Sequence, residues 1–290
     1  MSEAPVQISM TPERIAALRK SGEAHKYDHG HLLMLSGGAG QTGAARLAAR
    51  GALRIGAGLV TLGVPPSAQM EVATHITALM QVRVADSAGL EAVLRDGRIN
   101  ALGLGPGMGV DRAAALMPAA LGGGAVQARP TVLDADALTA LSGDAALFKL
   151  LHPACILTPH AGEFARLFPD LAQRGPQSER QSDVDMVRAA AARVGCTVVL
   201  KGPNTVIAGP DGASAIHSAQ DNPAPWLATA GTGDVLAGFI AGLMARGLAP
   251  MDAAQSAVWL HAACARLVGP GLIAEDLPET LPAVLAELGV

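Results

Sequence analysis

The part of this 290-residue chain with the most chemical content is a turn of small residues that ends in a carboxylate. Glycines let backbone N–H groups approach a ligand closely. A helix is predicted to follow over residues 233–245, and its N-terminus adds unpaired N–H donors and a partial positive charge. Such a turn is suited to hold a phosphate or a developing oxyanion, with the candidate donors Ala230, Gly231, Thr232 and Gly233. Asp234 then has two interpretations, the N-cap of the helix or a general base beside the anion site.

Two further motifs follow predicted strands. Gly105-Pro106-Gly107-Met108-Gly109 comes after a strand over 99–104 and is either a ligand contact or an ordinary strand-to-helix turn. It lacks the sequence context of a dinucleotide-binding fingerprint. Asp134-Ala135-Asp136 comes after a strand over 131–134. One carboxylate could cap the next helix while the other faces solvent, or the pair could bind water or magnesium, which prefers oxygen ligands.

A histidine and a lysine stand at two other strand ends. A strand predicted over 155–158 stops before Pro159, so His160 lies where ligands bind in sheets of this kind. Lys201 follows a strand over 197–200, and lysine is a compact donor to phosphate. The alternative is that Lys201 is an exposed lysine in a turn. The segment also lacks the layout of a P-loop. His261 lies on a predicted apolar helix. It is expected to be packed there or to support a residue that contacts the ligand, without a catalytic role.

The elements that would position these residues alternate between strand and helix. This alternation predicts an α/β fold with a mostly parallel central sheet and helices on both faces. Further strands are predicted over 31–35 and 58–64, and a hairpin over 206–217 with its turn at 209–212. Residues 173–182 are predicted to form a surface loop. Further helices are predicted over 12–19, 42–55, 112–121, 251–268 and 281–288, and short ones begin near 136 and 162.

Composition excludes several classes of function. Half of the residues are apolar but only 2% are aromatic, so the core must be aliphatic. A net charge of -4 disfavours nucleic acid and anionic membranes as partners. Three widely spaced cysteines, without a zinc-like spacing, suggest free buried thiols in a reducing, cytoplasmic setting. No signal peptide or membrane span is expected. The N-terminal histidines His25, His29 and His31 impose no metal geometry, and no metal ligand is assigned.

The ordered set of motifs resembles the ADP-dependent NAD(P)H-hydrate dehydratases of the ribokinase-like superfamily. The resemblance covers residues 25–288, which implies a dehydratase domain over 25–290 after an N-terminal extension over 1–24. Two departures are an alanine at Ala230, where many members have glycine, and Asn222-Pro223-Ala224-Pro225-Trp226 in place of a more usual Asn-Pro-Gly. The resemblance rests on Gly231-Thr232-Gly233-Asp234, Thr158-Pro159-His160-Ala161-Gly162-Glu163-Phe164, Lys201-Gly202 with Thr205, Asn222-Pro223, Thr42-Gly43-Ala44-Ala45, His25-Lys26, Gly30-His31 and residues 54–61.

The resemblance implies a repair reaction in which the S form of hydrated NADH or NADPH loses water. ADP, or ATP in some members, would be consumed together with Mg²⁺, giving AMP and phosphate from ADP. Asp234 would be the catalytic base. The hydrated cofactor would contact Ala44, Gly107, His160 and Asp234. The nucleotide would contact Lys201, Gly202, Pro203, Asn204, Thr205 and Gly233. Magnesium would be held mostly by nucleotide oxygens and waters. The family also implies a homotetramer, and many relatives carry an epimerase domain, which makes an epimerase a candidate partner. Because about 25 residues precede the match, the chain is expected to hold the dehydratase alone.

Two alternatives remain from the sequence. One is a ribokinase-like kinase that phosphorylates a vitamin-precursor alcohol, which shares the glycine-rich turn and the aspartate. The block 158–163 and the block 42–45 favour the dehydratase over this kinase. The other is a nucleotide-binding regulator without turnover. Asp234 argues against it, because a pure binder gains little from a carboxylate placed beside phosphate.

Overall fold

The computed structural model describes residues 4–124, 126–172, 182–218 and 224–290. Most of the loop predicted over 173–182, together with Asn222 and Pro223, therefore lies outside the described residues. Within the described ranges, no helix combines the length and apolarity that a membrane span needs. Cys155, Cys196 and Cys264 are free and buried, as the sequence predicts.

The strands of the described residues form one ten-stranded sheet. Their bounds are β1 (Val6–Gln7), β2 (His31–Leu35), β3 (Leu59–Val64), β4 (Met80–Arg83), β5 (Ala101–Leu104), β6 (Thr131–Leu133), β7 (Cys155–Leu157), β8 (Thr197–Leu200), β9 (Thr205–Ala208) and β10 (Ser214–His217). Their order is β1-β10-β9-β8-β7-β6-β5-β2-β3-β4. Pairing is parallel except along β9, which runs antiparallel to both β8 and β10. The mostly parallel sheet and the hairpin after 205 are thus confirmed.

Helices cover both faces of the sheet. Their bounds are α1 (Pro12–Leu18), α2 (Gly43–Arg54), α3 (Gln69–His75), α4 (Ser87–Leu94), α5 (Val110–Ala120), α6 (Ala135–Gly143), α7 (Ala145–Phe148), α8 (Ala161–Leu167), α9 (Asp183–Val194), α10 (Thr232–Ala245), α11 (Pro250–Val268) and α12 (Asp276–Glu287). One apolar core lies between the sheet and α2, α10, α11 and α12. The other lies between the opposite face and α4, α5, α6, α8 and α9. Both cores are built mainly from aliphatic side chains, as the composition requires.

Several elements differ from the sequence prediction. The helices α3, α4, α7 and α9 and the strands β1 and β4 were not predicted. Strand β4 is an edge strand that is mostly exposed, so it carries no alternating apolar pattern. Helix α12 begins at Asp276, five residues before the predicted start at 281. Its Pro278 lies in the first turn, where the missing N–H would have no partner in any case.

Part of the N-terminal segment belongs to the folded body. Strand β1 pairs in parallel with β10, and Ile8 and Leu18 lie in the core beneath α10 and α11. The Arg246 guanidinium donates hydrogen bonds to the carbonyls of Ala17 and Leu18, at 3.1 and 2.8 Å, after α10 ends. These contacts tie α1 to the C-terminal half of the chain.

The strand order reverses between β2 and β5, because β3 and β4 extend from β2 in one direction and β6–β10 extend from β5 in the other. A crevice forms at such a reversal, beyond the carboxyl ends of the parallel strands. The motifs that follow β5, β6, β7 and β8, at 105–109, 134–136, 158–163 and 201–205, lie at that edge. Beneath them, α10 packs closely against α2: a Cβ on Gly238 would lie 2.0 Å from the Ala48 carbonyl oxygen.

Candidate functional site

Neighbouring strands each deliver one functional side chain to the same edge of the sheet. Asp134 directly follows β6, Thr158 directly follows β7, and Lys201 directly follows β8. The ladder between the last two strands continues past their ends, because Lys201 N donates to the Pro159 carbonyl at 2.8 Å and His160 pairs with Lys201 in a bridge. Asp134 and Lys201, which are 67 positions apart in sequence, thereby come within hydrogen-bond distance.

Asp134 and Lys201 form an ion pair within this edge. Lys201 Nζ lies 2.6 Å from Asp134 Oδ1, and the Thr158 hydroxyl donates to the same oxygen at 2.8 Å. Asp134 is 1% exposed, and the Lys201 side chain is 19% exposed. Burial by itself would lower the pKa of Lys201, but the charge and hydrogen bond of Asp134 outweigh it, so that the pKa is raised. The alternative of an exposed lysine in a turn is wrong.

The prediction that one of Asp134 and Asp136 caps the next helix while the other faces solvent is also wrong. Asp134 stands at the N-cap position of α6, but its side chain caps no N–H of that helix and binds Lys201 and Thr158 instead. Asp136 Oδ2 accepts the Gly109 N–H at 2.8 Å and so fastens the loop after β5. Ala135, between them, has a φ of 45°, the one positive value at a non-glycine residue in the described part of the chain. The strained backbone at Ala135 lies between two carboxylates that both bind other parts of the site, Asp134 to Lys201 and Asp136 to Gly109.

Asp234 lies in the first turn of α10 but does not cap it. Gly231 occupies the N-cap position, Thr232 is the first helical residue, and Asp234 is the third. The N-cap interpretation is therefore wrong. Burial, with the negative charge of Asp134 second, raises the pKa of Asp234 from 3.8 to about 6, against the opposing effect of Lys201. A carboxylate with a pKa near 6 is a stronger base than an ordinary aspartate and is still ionised at neutral pH.

The turn before α10 leaves its backbone donors free. Among the residues that the structure describes, no side chain caps this helix, and the first N–H groups of an α-helix have no partner within it. Gly231 adopts the left-handed conformation with φ 89°, and a Cβ there would lie 2.8 Å from the Ala274 Cβ. The Thr232 hydroxyl donates to the carbonyls of Leu227 and Thr229, at 2.8 and 3.0 Å, which holds the turn in shape. The turn therefore presents N–H groups as an anion site requires.

His261 supports the turn from below. Its Nε2 lies 2.8 Å from the Thr232 carbonyl oxygen, and its ring packs edge-on against Phe239. Burial lowers the pKa of His261 to about 4, so the ring is neutral and donates one N–H to that carbonyl. The prediction of a packed histidine without a catalytic role agrees with this position.

His160 begins α8 and forms a reciprocal cap with Glu163. The ring Nδ1 accepts the Gly162 N–H at 3.0 Å, while Glu163 Oε2 accepts the His160 N–H at 2.8 Å. More than half of the His160 side chain, 57%, is open to solvent. A histidine thus replaces the usual Ser or Thr of a capping box, and its ring is both anchored to the backbone and accessible to a ligand.

A cavity of 650 Å³ lies beside the anion turn. Its lining includes the strand-end and turn residues His160, Lys201, Gly202, Pro203, Thr205, Thr232 and Gly233. The rest of the lining is mostly apolar and consists of Ala224, Pro225, Leu227, Ala228, Leu236, Val258 and Ala262, with His217 and His261. Asn204 lines a neighbouring cavity of 440 Å³ on the other side of the same loop. Asp234 is outside the lining of the larger cavity, but its neighbour Gly233 is within it: a Cβ on Gly233 would lie 3.4 Å from Lys201 Nζ.

The remaining predicted contacts, Ala44 and Gly107, meet at the reversal of the strand order. Gly107 has a φ of 63°, and a Cβ there would lie 3.4 Å from the Ala44 Cβ and 2.7 Å from the Gln41 carbonyl oxygen. Leu47, one turn further along α2, approaches Gly231 closely, since a Cβ on that glycine would lie 2.9 Å from Leu47 Cδ1. The structure therefore brings Ala44 and Gly107 together and connects them through α2 to the anion turn. Ala230 is exposed.

Glu71 is a positioning residue that no sequence motif indicates. Glu71 accepts hydrogen bonds from Gly40 N at 2.6 Å and from the Thr42 hydroxyl at 2.5 Å, and so holds the loop that leads into Ala44. It lies on α3, which carries no recognisable motif, so no local signal identified it. Thr158 was part of a quoted motif, but only the fold shows that its hydroxyl binds Asp134.

Known proteins are similar to this chain over most of its length. The family model described as NAD(P)H-hydrate dehydratase matches residues 32–282. The ADP-dependent (S)-NAD(P)H-hydrate dehydratase of Neisseria meningitidis is 38% identical over 253 residues, which are 86% of this chain and 80% of that protein. The chain spans about half the length of other curated relatives that it matches, which are bifunctional NAD(P)H-hydrate repair enzymes.

Solved structures agree in fold. A ribokinase-like superfamily protein of Enterococcus faecalis superposes with a TM-score of 0.81 at 23% identity, covering 96% of this chain and 95% of that one. The ADP/ATP-dependent NAD(P)H-hydrate dehydratase of Bacillus subtilis, crystallised with ATP and Mg²⁺, superposes with a TM-score of 0.74 at 29% identity, covering 98% of each chain. The ribokinase-like fold predicted from the motifs is confirmed.

Proposed function

The chain belongs to the NAD(P)H-hydrate dehydratase family, and from this we propose that it converts the S form of NADH or NADPH hydrate to the intact cofactor, with ADP as phosphoryl donor. The observation that carries the proposal is the half-buried carboxylate of Asp234, whose pKa is raised to about 6, in the first turn of a helix that no side chain among the described residues caps. A base and an anion site within one helical turn suit transfer of a phosphoryl group to a hydroxyl.

In this proposal the reaction has two steps, phosphoryl transfer and then elimination of phosphate. The hydroxyl of the hydrated ring attacks the β-phosphorus of ADP, its proton passes to Asp234, and the bond from the β-phosphorus to the bridging oxygen breaks to release AMP. The ring nitrogen then supplies an electron pair as the ring C–O bond breaks, and phosphate leaves with both bonding electrons. Loss of a ring proton restores the reduced nicotinamide. Phosphorylation is needed because hydroxide is a poor leaving group at neutral pH.

The chain stabilises the charge that develops on the transferred group. We assign the backbone N–H groups of Ala230, Gly231, Thr232 and Gly233 to the anion hole, because a preorganised donor set avoids reorganisation during the reaction. The ammonium of Lys201 lies next to Gly233, on the cavity side of the turn. Its partner Asp134 keeps it protonated and limits its motion.

The two substrates bind on either side of Asp234. In this proposal the nucleotide lies along Lys201, Gly202, Pro203, Asn204, Thr205 and Gly233. The hydrated nicotinamide lies toward Ala44 and Gly107 at the reversal of the strand order, and it reaches His160 at the end of β7, beside the nucleotide cavity. Support comes from the cavity beside Lys201 and from the close approach of the loops after β2 and β5: a Cβ on Gly37 would lie 1.8 Å from the Gly107 carbonyl oxygen.

Magnesium fits this site as a companion of the nucleotide. Among the described residues, no group of three acidic, histidine or cysteine side chains could hold an ion, and the nearest carboxylates already bind Lys201, Thr158 and the Gly109 N–H. Phosphate oxygens and water would therefore supply most of its ligands. Bound in this way, magnesium neutralises phosphate charge.

The family resemblance extends the proposal to the setting of the protein. We propose that the dehydratase domain spans 25–290, that the chain works in the cytoplasm as a homotetramer, and that its partner reaction is the epimerisation that supplies the S form. The names of the bifunctional relatives are consistent with two linked activities.

The experiment is optical, because hydrated NADH lacks the absorbance band of the dihydronicotinamide ring. Purified protein, hydrated NADH, Mg²⁺ and ADP should restore that band with release of one AMP and one phosphate per NADH. ATP in place of ADP tests the donor, and NADPH hydrate tests the acceptor. A small-molecule kinase would release no phosphate and restore no band. No recovery with either nucleotide would rule out the dehydratase.

A further inference from the structure

His217 is a buried histidine in the candidate nucleotide cavity to which the proposed function gives no role. It is 7% exposed and is one of the residues that line the cavity. Within the described residues, Nε2 is buried and has no hydrogen-bond partner. Leaving a buried polar atom unpaired is unfavourable for the folded protein, and a ligand that pairs with the atom removes that penalty.

The hairpin of β9 and β10 places this ring beside the predicted nucleotide loop. His217 is the Cα partner of Thr205, and side chains of directly paired residues project from the same face of a sheet. Both residues line the cavity, as do Val258 and Ala262 of α11 on its opposite wall. The ring therefore lies one strand away from the end of the segment 201–205 that is proposed to hold the phosphates.

The surroundings of His217 suit a flat, uncharged ring with a polar edge. Aliphatic side chains and prolines make up much of the cavity lining, among them Ala224, Pro225 and Leu227. Burial, with the positive charge of Arg266 second, lowers the pKa of His217 below its ordinary value. The imidazole is therefore neutral at pH 7 and offers one donor and one acceptor nitrogen, as a purine edge requires.

We infer that His217 Nε2 hydrogen-bonds to the edge of the adenine base and so acts as a specificity residue of the nucleotide site. This inference rests on the proposed use of an adenine nucleotide and adds the residue that reads its base. The phosphates bind at the Lys201 end and the base binds at the His217 end. The two ends then contribute separately to affinity.

Equilibrium binding by calorimetry tests this inference without turnover. The ligands are ADP, which has the base, and inorganic pyrophosphate, which lacks it. For His217→Ile the ADP dissociation constant should rise about five- to tenfold, as expected for one lost hydrogen bond, with pyrophosphate affinity unchanged. In the steady state the KM for ADP should rise while kcat stays within about twofold, because the base lies away from the reacting atoms.

Matched variants separate contact from packing. His217→Gln reaches as far as Nε2 and should keep ADP affinity within about threefold, whereas His217→Asn is shorter and should lose it as the isoleucine variant does. Ser214→Ala removes another buried, unpartnered polar group of β10 that is outside the cavity lining and should change nothing. Wild-type ADP affinity in folded His217→Asn or His217→Ile, or an equal loss for pyrophosphate, would overturn the inference.

The two proposals fail in different ways. If the wild-type protein binds ADP but restores no NADH, the dehydratase is wrong and the binding series still decides the role of His217. If the wild-type protein does not bind ADP, the adenine contact is wrong as well. Turnover with an unchanged ADP affinity in the variants supports the dehydratase and refutes the adenine contact.

Discussion

Lys201 and Asp134 form a buried ion pair, with Nζ 2.6 Å from Oδ1, at the point where β8 and β6 end. The pair lies against the anion turn, because a Cβ on Gly233 would lie 3.4 Å from the same Nζ. Its two charges act on Asp234 in opposite directions, since Asp134 raises the pKa of that carboxyl and Lys201 lowers it. The ion pair therefore holds the Lys201 ammonium in place and also adjusts the pKa of the candidate base Asp234.

Removal of the Asp134 charge should move the pH dependence of the reaction. In Asp134→Asn, the pKa of Asp234 falls, because one negative neighbour is lost and Lys201 acts unopposed. The acidic limb of kcat/KM against pH, which we expect near the pKa of about 6 for Asp234 in the wild type, should move to lower pH. Breaking one partner of a buried pair should also cost about 3 kcal/mol of unfolding free energy in urea.

Thr158→Val is the matched control for this ion pair. It removes the other hydrogen bond to Asp134 Oδ1 and keeps both charges. It should cost only about 1 kcal/mol and leave the acidic limb where it is. An equal displacement of the limb in both variants would mean that geometry, and not charge, adjusts Asp234.

Loss of the candidate base should stop turnover without stopping nucleotide binding. Asp234→Asn should lower kcat by about two orders of magnitude or more, because an amide cannot accept the proton of the attacking hydroxyl, while ADP affinity stays within about threefold. Restoration of NADH absorbance measures the first quantity and calorimetry the second. Asp252→Asn is a close control, since Asp252 is likewise the third residue of its helix, α11, and is away from the cavity lining. A near-normal rate in Asp234→Asn would leave Asp234 with only a structural role.

The same variant should stabilise the protein above pH 6. Burial raises the pKa of Asp234 from 3.8 to about 6, so between these values the folded state binds a proton that the unfolded chain does not. The contribution of Asp234 to the free energy of unfolding is therefore fully present below pH 3.8 and is lost as the pH rises through about 6. Asp234→Asn removes that loss and should be more stable at pH 8 by on the order of 1 kcal/mol, discounted for the open part of the side chain.

Thermal melts across pH check this sign. The difference between Asp234→Asn and wild type should shrink steadily from pH 7 to pH 4. Asp252→Asn, which removes a carboxylate whose side chain is 58% exposed, should show no gain that follows this window. A variant that is less stable than wild type at pH 8 would contradict the buried, destabilising carboxylate.

Gly231 should tolerate no side chain, for two separable reasons. Its φ is 89°, and a Cβ would lie 2.8 Å from the Ala274 Cβ and 2.9 Å from Leu47 Cδ1. Gly247 has a similar φ of 91° with nothing within 4 Å of a Cβ. Gly247→Ala should therefore cost only the backbone strain, about 1 kcal/mol. Gly231→Ala should cost more and should weaken pyrophosphate and ADP binding by at least about tenfold, because the turn must move. Equal melting temperatures for the two variants would show that the Gly231 turn is not tightly packed.

Much of the fold could be predicted from local pattern. Buried parallel strands give continuous apolar runs, as at 31–35 and 197–200, and these bounds agree with the structure. Strand β4 could not be found in this way, because an exposed edge strand has no buried face to impose a pattern on its residues. Helix α9 follows a polar stretch and begins at a Ser182 cap, which a single sequence does not distinguish from a turn.

By itself, the sequence determined the alternation of elements, the aliphatic core and the residue types at the strand ends, because these depend on local propensity and on motifs that are contiguous in the chain. It could not determine which of these residues meet. Only the tertiary structure decided that Asp134 pairs with Lys201 rather than capping its helix, that Glu71 holds the loop before Ala44, and that Asp234 is buried enough to have a raised pKa. Pairing and burial depend on the order in which the strands join, and that order brings together residues that are far apart in the sequence.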